Sequence, residues 1–204
     1  ATIDGKAMHN VQNAMFAAAI CYSMGKSLED IRQGLRTFAT SYFQAPGRLN
    51  VFEEHPFKVI LDYGHNPAAM EAMTKLCTQL EPKGRRIICF SMPGDRRDED
   101  IVAAATIVAG KFDHYICKAD DGRRGRGDAE VPEMLRKTLI ENGVSADQIE
   151  IIPSEVDAVN AALNLGQQDD LVLVFGDNIA RTWKQIIYFN RPQEAIDNTD
   201  KSEN

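Results

Sequence analysis

The sequence changes from a strand pattern to a helix pattern within one stretch, VILDYGHNP at residues 59–67. Its first three residues are apolar and rich in β-branched side chains, which is typical of a buried strand. Polar side chains follow at once, and Pro67 is suited to the first turn of a helix. In an open α/β sheet, polar residues at the carboxyl end of a strand face the crevice in which ligands bind. A helix that begins there also presents free backbone N–H groups and a partial positive charge, which favour phosphate.

Three side chains of this stretch are candidates for nucleotide binding. Asp62 can accept hydrogen bonds from sugar hydroxyls, and His65 and Asn66 can bond phosphate oxygens. The alternative is structural, with Asn66 only capping the helix that begins at Pro67. The spacing by itself favours neither interpretation.

Strand and helix patterns alternate along most of the chain. Strands are predicted at 49–53, 57–62, 85–91, 114–118, 149–152 and 171–175. Helices are predicted at 67–80, 99–112, 131–142, 155–165 and 179–189. This alternation predicts an α/β fold with a mostly parallel sheet of about six strands and helices on both faces. The first two strands are joined by a short turn through His55 and Pro56, so they should form an antiparallel hairpin.

The first 42 residues are predicted to be a separate unit. Apolar residues recur at helical spacing from Val11 to Ala19, and Ser27 is a suitable N-cap for a second helix. Two such helices have too little apolar surface to fold alone, so residues 1–42 are expected to end a preceding domain. Residues 43–190 are predicted to form one α/β domain, and the polar residues 191–204 a disordered tail. Because the first residue is Ala1 rather than Met, we expect a processed or shortened chain.

Composition and charge argue against several functional classes. The 204 residues are 44% hydrophobic and 26% charged, which is ordinary for a globular protein. A net charge of −7 argues against a protein that coats nucleic acid, and no apolar run is long enough to span a membrane. The four cysteines form no CxxC pair and are interpreted as buried thiols in a reducing compartment, so a cytoplasmic location is expected. No metal site is predicted in this chain.

Three further polar clusters fall at the ends of predicted strands. SMPGDRRD at 91–98 follows the third strand, DDGRRGRG at 120–127 the fourth, and GDN at 176–178 the last. Carboxylates suit a cationic group, whereas guanidinium groups bind carboxylates or phosphates. A site with both could hold a zwitterion such as an amino acid, and the alternative is a set of solvated ion pairs. The sequence has no GxxxxGK[ST] phosphate-binding loop.

Taken together, these motifs resemble those of the Mur ligase superfamily. HNxxNA at 9–14, GR at 47–48 and DYGHNP at 62–67 are similar to the junction and C-terminal domain of these ligases. A narrower resemblance, to the C-terminal part of the cyanophycin synthetase family, is carried by DYGHNPAAM at 62–70, GDRRDEDI at 94–101, DDGRRGR at 120–126 and DNIARTWKQI at 177–186. The match extends over nearly the whole chain up to Phe189.

The resemblance implies an ATP-dependent ligase that joins an amino group to a carboxylate through an acyl-phosphate. In the narrower family this part adds arginine to the side-chain carboxylate of a poly-aspartate backbone. ATP and Mg²⁺ would be bound mainly by a central domain that this chain almost wholly lacks, so the chain alone is expected to be inactive. The implied partners are ATP, an amino acid such as arginine, a peptide acceptor and the rest of the ligase chain. Neither nucleic acid nor membrane is an expected partner, and self-association stays open.

The same resemblance implies roles for individual residues. ATP binding is implied for Asn10, Asn13, Arg48, Asp62, His65 and Asn66, with His65 also the candidate catalytic residue near the phosphates. Contact with the incoming amino acid is implied for Asp95, Arg96, Arg97, Asp121, Arg123, Arg124 and Arg126. Two other functions stay open: a Mur-type ligase of a cell-wall peptide, and a non-catalytic module that binds a nucleotide or an amino acid.

Overall fold

Six strands form one sheet in the computed structural model, which describes residues 1–190; the tail predicted at 191–204 lies outside the described residues. The strands are β1 (Asn50–Phe52), β2 (Lys58–Asp62), β3 (Arg86–Phe90), β4 (His114–Cys117), β5 (Ile149–Ile151) and β6 (Leu171–Phe175). Their order across the sheet is β1-β2-β6-β3-β4-β5, and all neighbours are parallel except β1 and β2. Both the mostly parallel sheet and the antiparallel first hairpin are thus confirmed.

Seven α-helices accompany the sheet within residues 1–190. They are α1 (Met8–Ser23), α2 (Leu28–Thr37), α3 (Pro67–Leu80), α4 (Asp98–Val108), α5 (Glu130–Glu141), α6 (Glu155–Leu165) and α7 (Ile179–Tyr188). Helices α3, α4 and α5 pack on one face of the sheet, and α6 and α7 pack on the other. No helix of this set combines the length and the apolar character that crossing a bilayer requires.

The apolar strands hold helices on both faces of the sheet because their side chains alternate between the two faces. Ile60 packs with α3 and α4, whereas its neighbours Val59 and Leu61 pack with α6 and α7. All three are fully buried, and burying each such side chain contributes about 1.5–3 kcal/mol. The strand ends are therefore held firmly, which fixes where the loops that follow them begin.

One helix ends earlier than the sequence pattern predicts. A helix was expected over 99–112, but α4 ends at Val108. Gly110 has a φ of +67°, a left-handed conformation that ends a helix and that glycine adopts without strain. The N–H of Phe112 then donates to the hydroxyl of Tyr115, which leads the chain into β4.

Helices α1 and α2 differ from the others because neither has a buried residue. Met15 and Phe16 are each about two-thirds exposed, and Phe43 in the following linker is 89% exposed. Ser27 caps α2 as predicted, since its hydroxyl accepts a hydrogen bond from the N–H of Asp30. The assignment of residues 1–42 to a preceding domain stays a prediction, and these exposed apolar side chains favour it.

Candidate functional site

A cleft lies at the carboxyl ends of four adjacent strands, β2, β6, β3 and β4. Because these strands are parallel, the loops that follow them emerge at the same edge of the sheet. The cleft is lined by Tyr63, Gly64, His65, Ser91, Pro93, Lys118, Asp120, Phe175, Gly176 and Asp177. Each of the four predicted clusters thus contributes at least one polar side chain to it.

Asp62 ends β2 and is almost buried, with 8% of its surface exposed. Its Oδ2 accepts a hydrogen bond from the N–H of Leu49 at 2.9 Å, which ties the residue before β1 to the end of β2. Burial raises the pKa of Asp62, while the Leu49 N–H and the charges of Arg48 and His9 act in the opposite direction. The carboxylate is therefore a desolvated acceptor at a fixed position, with a guanidinium nearby.

His9 brings the start of α1 to this carboxylate. Partial burial lowers the pKa of His9, and the charge of Asp62 offsets part of that effect. The sequence pattern assigns His9 no role beyond the motif at 9–14. Ala7, directly before α1, is fully buried in the core on one face of the sheet, so the helical unit and the α/β unit are in contact.

A larger hollow, of about 930 Å³, lies between α1, α2 and the linker that precedes β1. Asn10, Asn13 and Arg48 line it together with apolar side chains of both helices. The guanidinium of Arg48 lies over the ring of Tyr63, 5.6 Å from its centroid, and Tyr63 also lines the cleft at the strand ends. Three of the six predicted ATP-binding residues therefore share this hollow, and the Arg48–Tyr63 contact joins it to the cleft.

His65 and Asn66 occupy the turn between β2 and α3. The Oδ1 atom of Asn66 accepts a hydrogen bond from the N–H of Ala69 at 2.9 Å, so Asn66 caps α3. The Nδ1 atom of His65 lies 3.0 Å from the carbonyl oxygen of Tyr63. Because a carbonyl oxygen only accepts, Nδ1 must carry the proton, which leaves Nε2 available to the cleft. The structural role considered for Asn66 is present, and its contact with phosphate stays a prediction.

Asn50 fixes the linker that carries Arg48. Its side chain is fully buried, its Oδ1 accepts from the N–H of Gly47 at 2.7 Å, and its Nδ2 donates to the carbonyl oxygens of Thr40 and Ala45. In the same linker, the ring of Tyr42 stacks on Trp183 of α7 at 5.0 Å. The linker is therefore bound to the α/β unit at several points before Arg48.

We expect Asn50→Ala to lower the free energy of unfolding by about 1–3 kcal/mol, because it removes the side-chain partners of the buried Gly47 N–H and of the Thr40 carbonyl, and one of the two donors to the Ala45 carbonyl. Urea denaturation of the variant and the wild type measures this. The matched control is Asn142→Ala, since the Asn142 amide donates to the carbonyl of Thr138 at an exposed helix end. Equal losses for the two variants would contradict the assigned role of Asn50.

The second and third clusters are fastened to each other by Arg126. Its guanidinium donates to the carbonyl oxygens of Gly94 at 2.8 Å and Arg96 at 2.9 Å, and to carboxylate oxygens of Asp98 and Glu130. With its Nε and both Nη atoms engaged, Arg126 joins loop 91–98 to loop 120–127. Its predicted contact with an amino acid stays untested, and its observed partners are structural.

The other predicted substrate-binding residues lie on the same two loops. Arg124 pairs with Asp95 at 2.6 Å, and both side chains are about half exposed. The Nε of Arg96 is buried and has no hydrogen-bond partner among the described residues. The remaining ion pairs are Arg97 with Asp100, Arg123 with Asp128, and Asp121 with Arg181. The set is thus brought together on one rim, largely as paired charges.

Two carboxylates outside the predicted set face the cleft itself, Asp120 and Asp177. Burial raises the pKa of Asp120, and the charge of Asp177 raises it further. Two neighbouring carboxylates disfavour each other's ionised form, so a bound cation would stabilise the ionised form of both. Within residues 1–190, no three His, Cys, Asp or Glu side chains are arranged to hold a metal ion.

Glu155 is absent from the residues predicted from the sequence, yet it connects much of this site. It lies at the first position of α6 with none of its side chain exposed. Its carboxylate accepts from Lys118, Asp177, Asn178, Arg181 and Thr182. Burial alone would raise the pKa of Glu155, but the charge of Lys118 and these donors lower it to about 2.

The sequence contains one indication of the pair formed by Lys118 and Glu155. Lys118 directly follows the apolar residues of β4, and a lysine at the end of a buried strand needs a buried counter-ion. Glu155 gave no comparable signal, because an acidic residue after Ser154 is an ordinary start of a helix.

Comparison with known proteins agrees with this architecture. Residues 47–178 match the family model described as Mur ligase, glutamate ligase domain. The chain is 36% identical over 180 residues to a cyanophycin synthetase of Crocosphaera subtropica and 34% over 201 residues to one of Nostoc sp., covering 88% and 98% of this chain. It spans about a fifth of the length of those relatives, 20% and 22%.

Solved structures give the same result for the fold. Escherichia coli FolC in complex with DHPP and ADP has a TM-score of 0.67 at 26% identity, over 88% of this chain and 39% of that one. The ligase MurC of Thermotoga maritima has a TM-score of 0.64 at 16% identity, over 88% and 37%. The chain therefore belongs to the Mur ligase family, with residues 47–178 as its glutamate ligase domain.

Proposed function

We propose that this chain is the C-terminal part of a longer ATP-dependent ligase, which adds arginine to the side-chain carboxylate of a poly-aspartate backbone. The observation that carries the proposal is the convergence of four polar loops on one edge of the sheet, beside a hollow lined by Arg48. The similarity to cyanophycin synthetases supports the choice of substrates.

ATP is proposed to bind where the hollow meets the end of β2. Asn10 and Asn13 offer amide groups to the adenine, and Arg48 and Asp62 can bind the ribose hydroxyls. His65 would meet the phosphates through Nε2, and the N-terminus of α3, capped by Asn66, presents N–H groups to anions. Since a preceding domain would supply most of the site, this chain alone provides only a part of the contacts.

The incoming arginine is proposed to bind between the loops after β3, β4 and β6. A guanidinium group forms bidentate bonds with carboxylates, and Asp120 and Asp177 are the acidic side chains that line the cleft there. Asp95 and Asp121, for which the resemblance implies contact with the amino acid, already pair with Arg124 and Arg181. We therefore assign the guanidinium to Asp120 and Asp177, and the carboxylate of the amino acid to Arg96, the rim arginine whose Nε has no hydrogen-bond partner among the described residues.

The chemistry of the proposed reaction explains the shape of the site. ATP supplies the phosphoryl group that activates the acceptor carboxylate, and the activated carboxylate is destroyed if water reaches it. The residues of this chain would hold the amine in line with that carboxylate and exclude water when the two domains close. Mg²⁺ has no fitting ligand set among residues 1–190, so no step here is assigned to it.

Replacing Asp62 tests the ATP half of the proposal. In the full-length ligase we expect Asp62→Asn to raise the KM for ATP by about tenfold or more, because the neutral amide is a weaker acceptor for sugar hydroxyls. The matched control is Asp113→Asn. The carboxylate of Asp113 also accepts a hydrogen bond from a backbone N–H, that of Arg86, but it lies at the opposite edge of the sheet. An unchanged KM for ATP in Asp62→Asn, or an equal rise in the control, would refute the assignment.

A second candidate function is a Mur-type ligase that adds a diamino acid to a cell-wall peptide. It is favoured by the 29% identity, over 93% of this chain, to the 2,6-diaminopimelate ligase of Alkaliphilus oremlandii. Measuring ADP release with arginine and with diaminopimelate separates the two candidates. If neither amine stimulates ADP release, yet the chain alone binds ATP or arginine at micromolar Kd, it is a binding module instead.

A further inference from the structure

The Glu155 carboxylate accepts hydrogen bonds from several elements around the cleft. Its Oε2 accepts from the Nζ of Lys118, which follows β4, at 2.8 Å and from the N–H of Asp177, which follows β6, at 2.7 Å. Its Oε1 accepts from the N–H of Asn178 at 3.0 Å and from the hydroxyl of Thr182 at 2.9 Å. A carboxylate has about four lone-pair sites, so these four bonds, together with a fifth from Arg181, leave Glu155 no capacity to accept another.

Arg181 extends this network to the neighbouring loop. Its Nη2 donates both to Oε1 of Glu155 at 2.9 Å and to Oδ2 of Asp121 at 2.6 Å. The circuit closes because the N–H of Asp121 donates to Oδ2 of Asp177 at 2.7 Å. A ring of hydrogen bonds therefore joins α6, α7 and the loops after β4 and β6.

We propose that Glu155 is a positioning residue, which holds the loops after β4 and β6 in one arrangement and so sets the spacing of Asp120 and Asp177 across the cleft. The inference rests on the proposed function, because it assigns these loops to the incoming amino acid. Glu155 itself has no exposed side-chain surface, so it acts through the loops rather than by touching a substrate.

Asp170 provides a matched control because it is the same kind of residue at the other edge of the sheet. It is 3% exposed, pairs with Arg85 at 2.7 Å and accepts backbone N–H bonds from Arg85 and Gln167. It precedes β6, whereas the loop that Glu155 holds follows β6. Loss of either carboxylate should cost stability, but only loss of Glu155 should alter amino-acid binding.

The test compares Glu155→Gln with Asp170→Asn in the full-length ligase. Glutamine keeps the shape of Glu155 but turns one of its two acceptor atoms into a donor. The variant therefore loses either the bonds from Lys118 and Asp177 at one atom or those from Asn178, Arg181 and Thr182 at the other. We expect the KM for arginine to rise by about tenfold or more while the KM for ATP stays within about twofold. Hydrogen–deuterium exchange should also become at least about tenfold faster at Asp177 or Asn178, whichever N–H loses its acceptor. Asp170→Asn should leave both KM values and this exchange unchanged.

Arg181→Gln provides a second variant if Glu155→Gln does not fold, because Arg181 is about one-third exposed and better tolerates substitution. We expect Arg181→Gln also to raise the KM for arginine. Parallel rises in both KM values, an unchanged KM for arginine, or unaltered exchange at Asp177 and Asn178 would overturn the inference. A wild-type enzyme without arginine-dependent ADP release would instead contradict the proposed function, and the exchange measurement would still decide the role of Glu155.

Discussion

Lys118→Met is expected to lower the free energy of unfolding by about 3 kcal/mol, because it leaves the buried carboxylate of Glu155 with Arg181, which it shares with Asp121, as its remaining counter-ion. The Nζ of Lys118 lies 2.8 Å from Oε2 of Glu155, and the exposed fractions of the two side chains are 2% and 0%. Removing one partner of such a pair costs far more stability than the intact pair contributes, because water cannot solvate the buried charge that remains. Urea denaturation at neutral pH measures the loss.

The matched control is Lys58→Met, which removes an ion pair of similar length in solvent. Lys58 and Glu53 are 2.6 Å apart, but 39% and 64% of their side chains are exposed. Exposed pairs contribute about 0–1 kcal/mol, so this variant should remain close to the wild type. Comparable losses in Lys118→Met and Lys58→Met would show that burial of the Lys118–Glu155 pair has no energetic consequence.

The same pair predicts how stability depends on pH. Folding lowers the pKa of Glu155 from about 4.5 to about 2, so its contribution is fully present above about pH 4.5 and is lost as the pH falls through about 2. A shift of this size corresponds to about 3 kcal/mol. In Lys118→Met the ammonium that lowers this pKa is gone, so the loss of stability between pH 4.5 and 2 should become smaller. Unfolding curves collected across this range test the sign directly.

The positions and relative directions of the strands followed from local patterns in the sequence, whereas their order across the sheet was not predicted. Residues such as Val59, Ile60 and Leu61 have no stable place outside a buried strand, and the polar turn after them fixes where that strand ends. A short turn through His55 and Pro56 could only join antiparallel neighbours. These features depend on residues close together in the chain, which is why the sheet could be predicted without coordinates.

The internal connections of the site could not be predicted in the same way. Glu155 and Lys118 are separated by 37 positions, and their pairing follows from the position of α6 over the strand ends. The resemblance implies contact of Arg126 with a substrate, which stays a prediction, and its bonds to the carbonyls of Gly94 and Arg96, about 30 positions away, could not be foreseen. Composition identifies which charges lie near a cleft, whereas only the packed loops decide which of them neutralise each other.

Gly94→Ala is expected to lower kcat/KM for the incoming amino acid by about 100-fold, because it forces apart the two loops that form the rim of the cleft. A Cβ atom added at Gly94 would lie 2.1 Å from the carbonyl oxygen of Arg123, and backbone cannot move aside as a flexible side chain can. Moving the loops apart also strains the bonds that Arg126 donates to the carbonyls of Gly94 and Arg96, which join the two loops. The expected change is a displaced rim in a protein that still has its sheet.

Gly127→Ala is the control for this effect because it adds the same methyl group to one of the same loops. No atom lies within 4 Å of its added Cβ, and Gly127 is not among the residues with a left-handed φ. Steady-state kinetics of both variants in the full-length ligase, with thermal unfolding to verify folding, separate a displaced rim from general destabilisation. If Gly94→Ala keeps kcat/KM within about threefold of Gly127→Ala, the contact between the two loops does not shape the amino-acid site. A large loss confined to Gly94→Ala, with the KM for ATP preserved, would mean that the fit between loops 91–98 and 120–127 determines how the amine is presented.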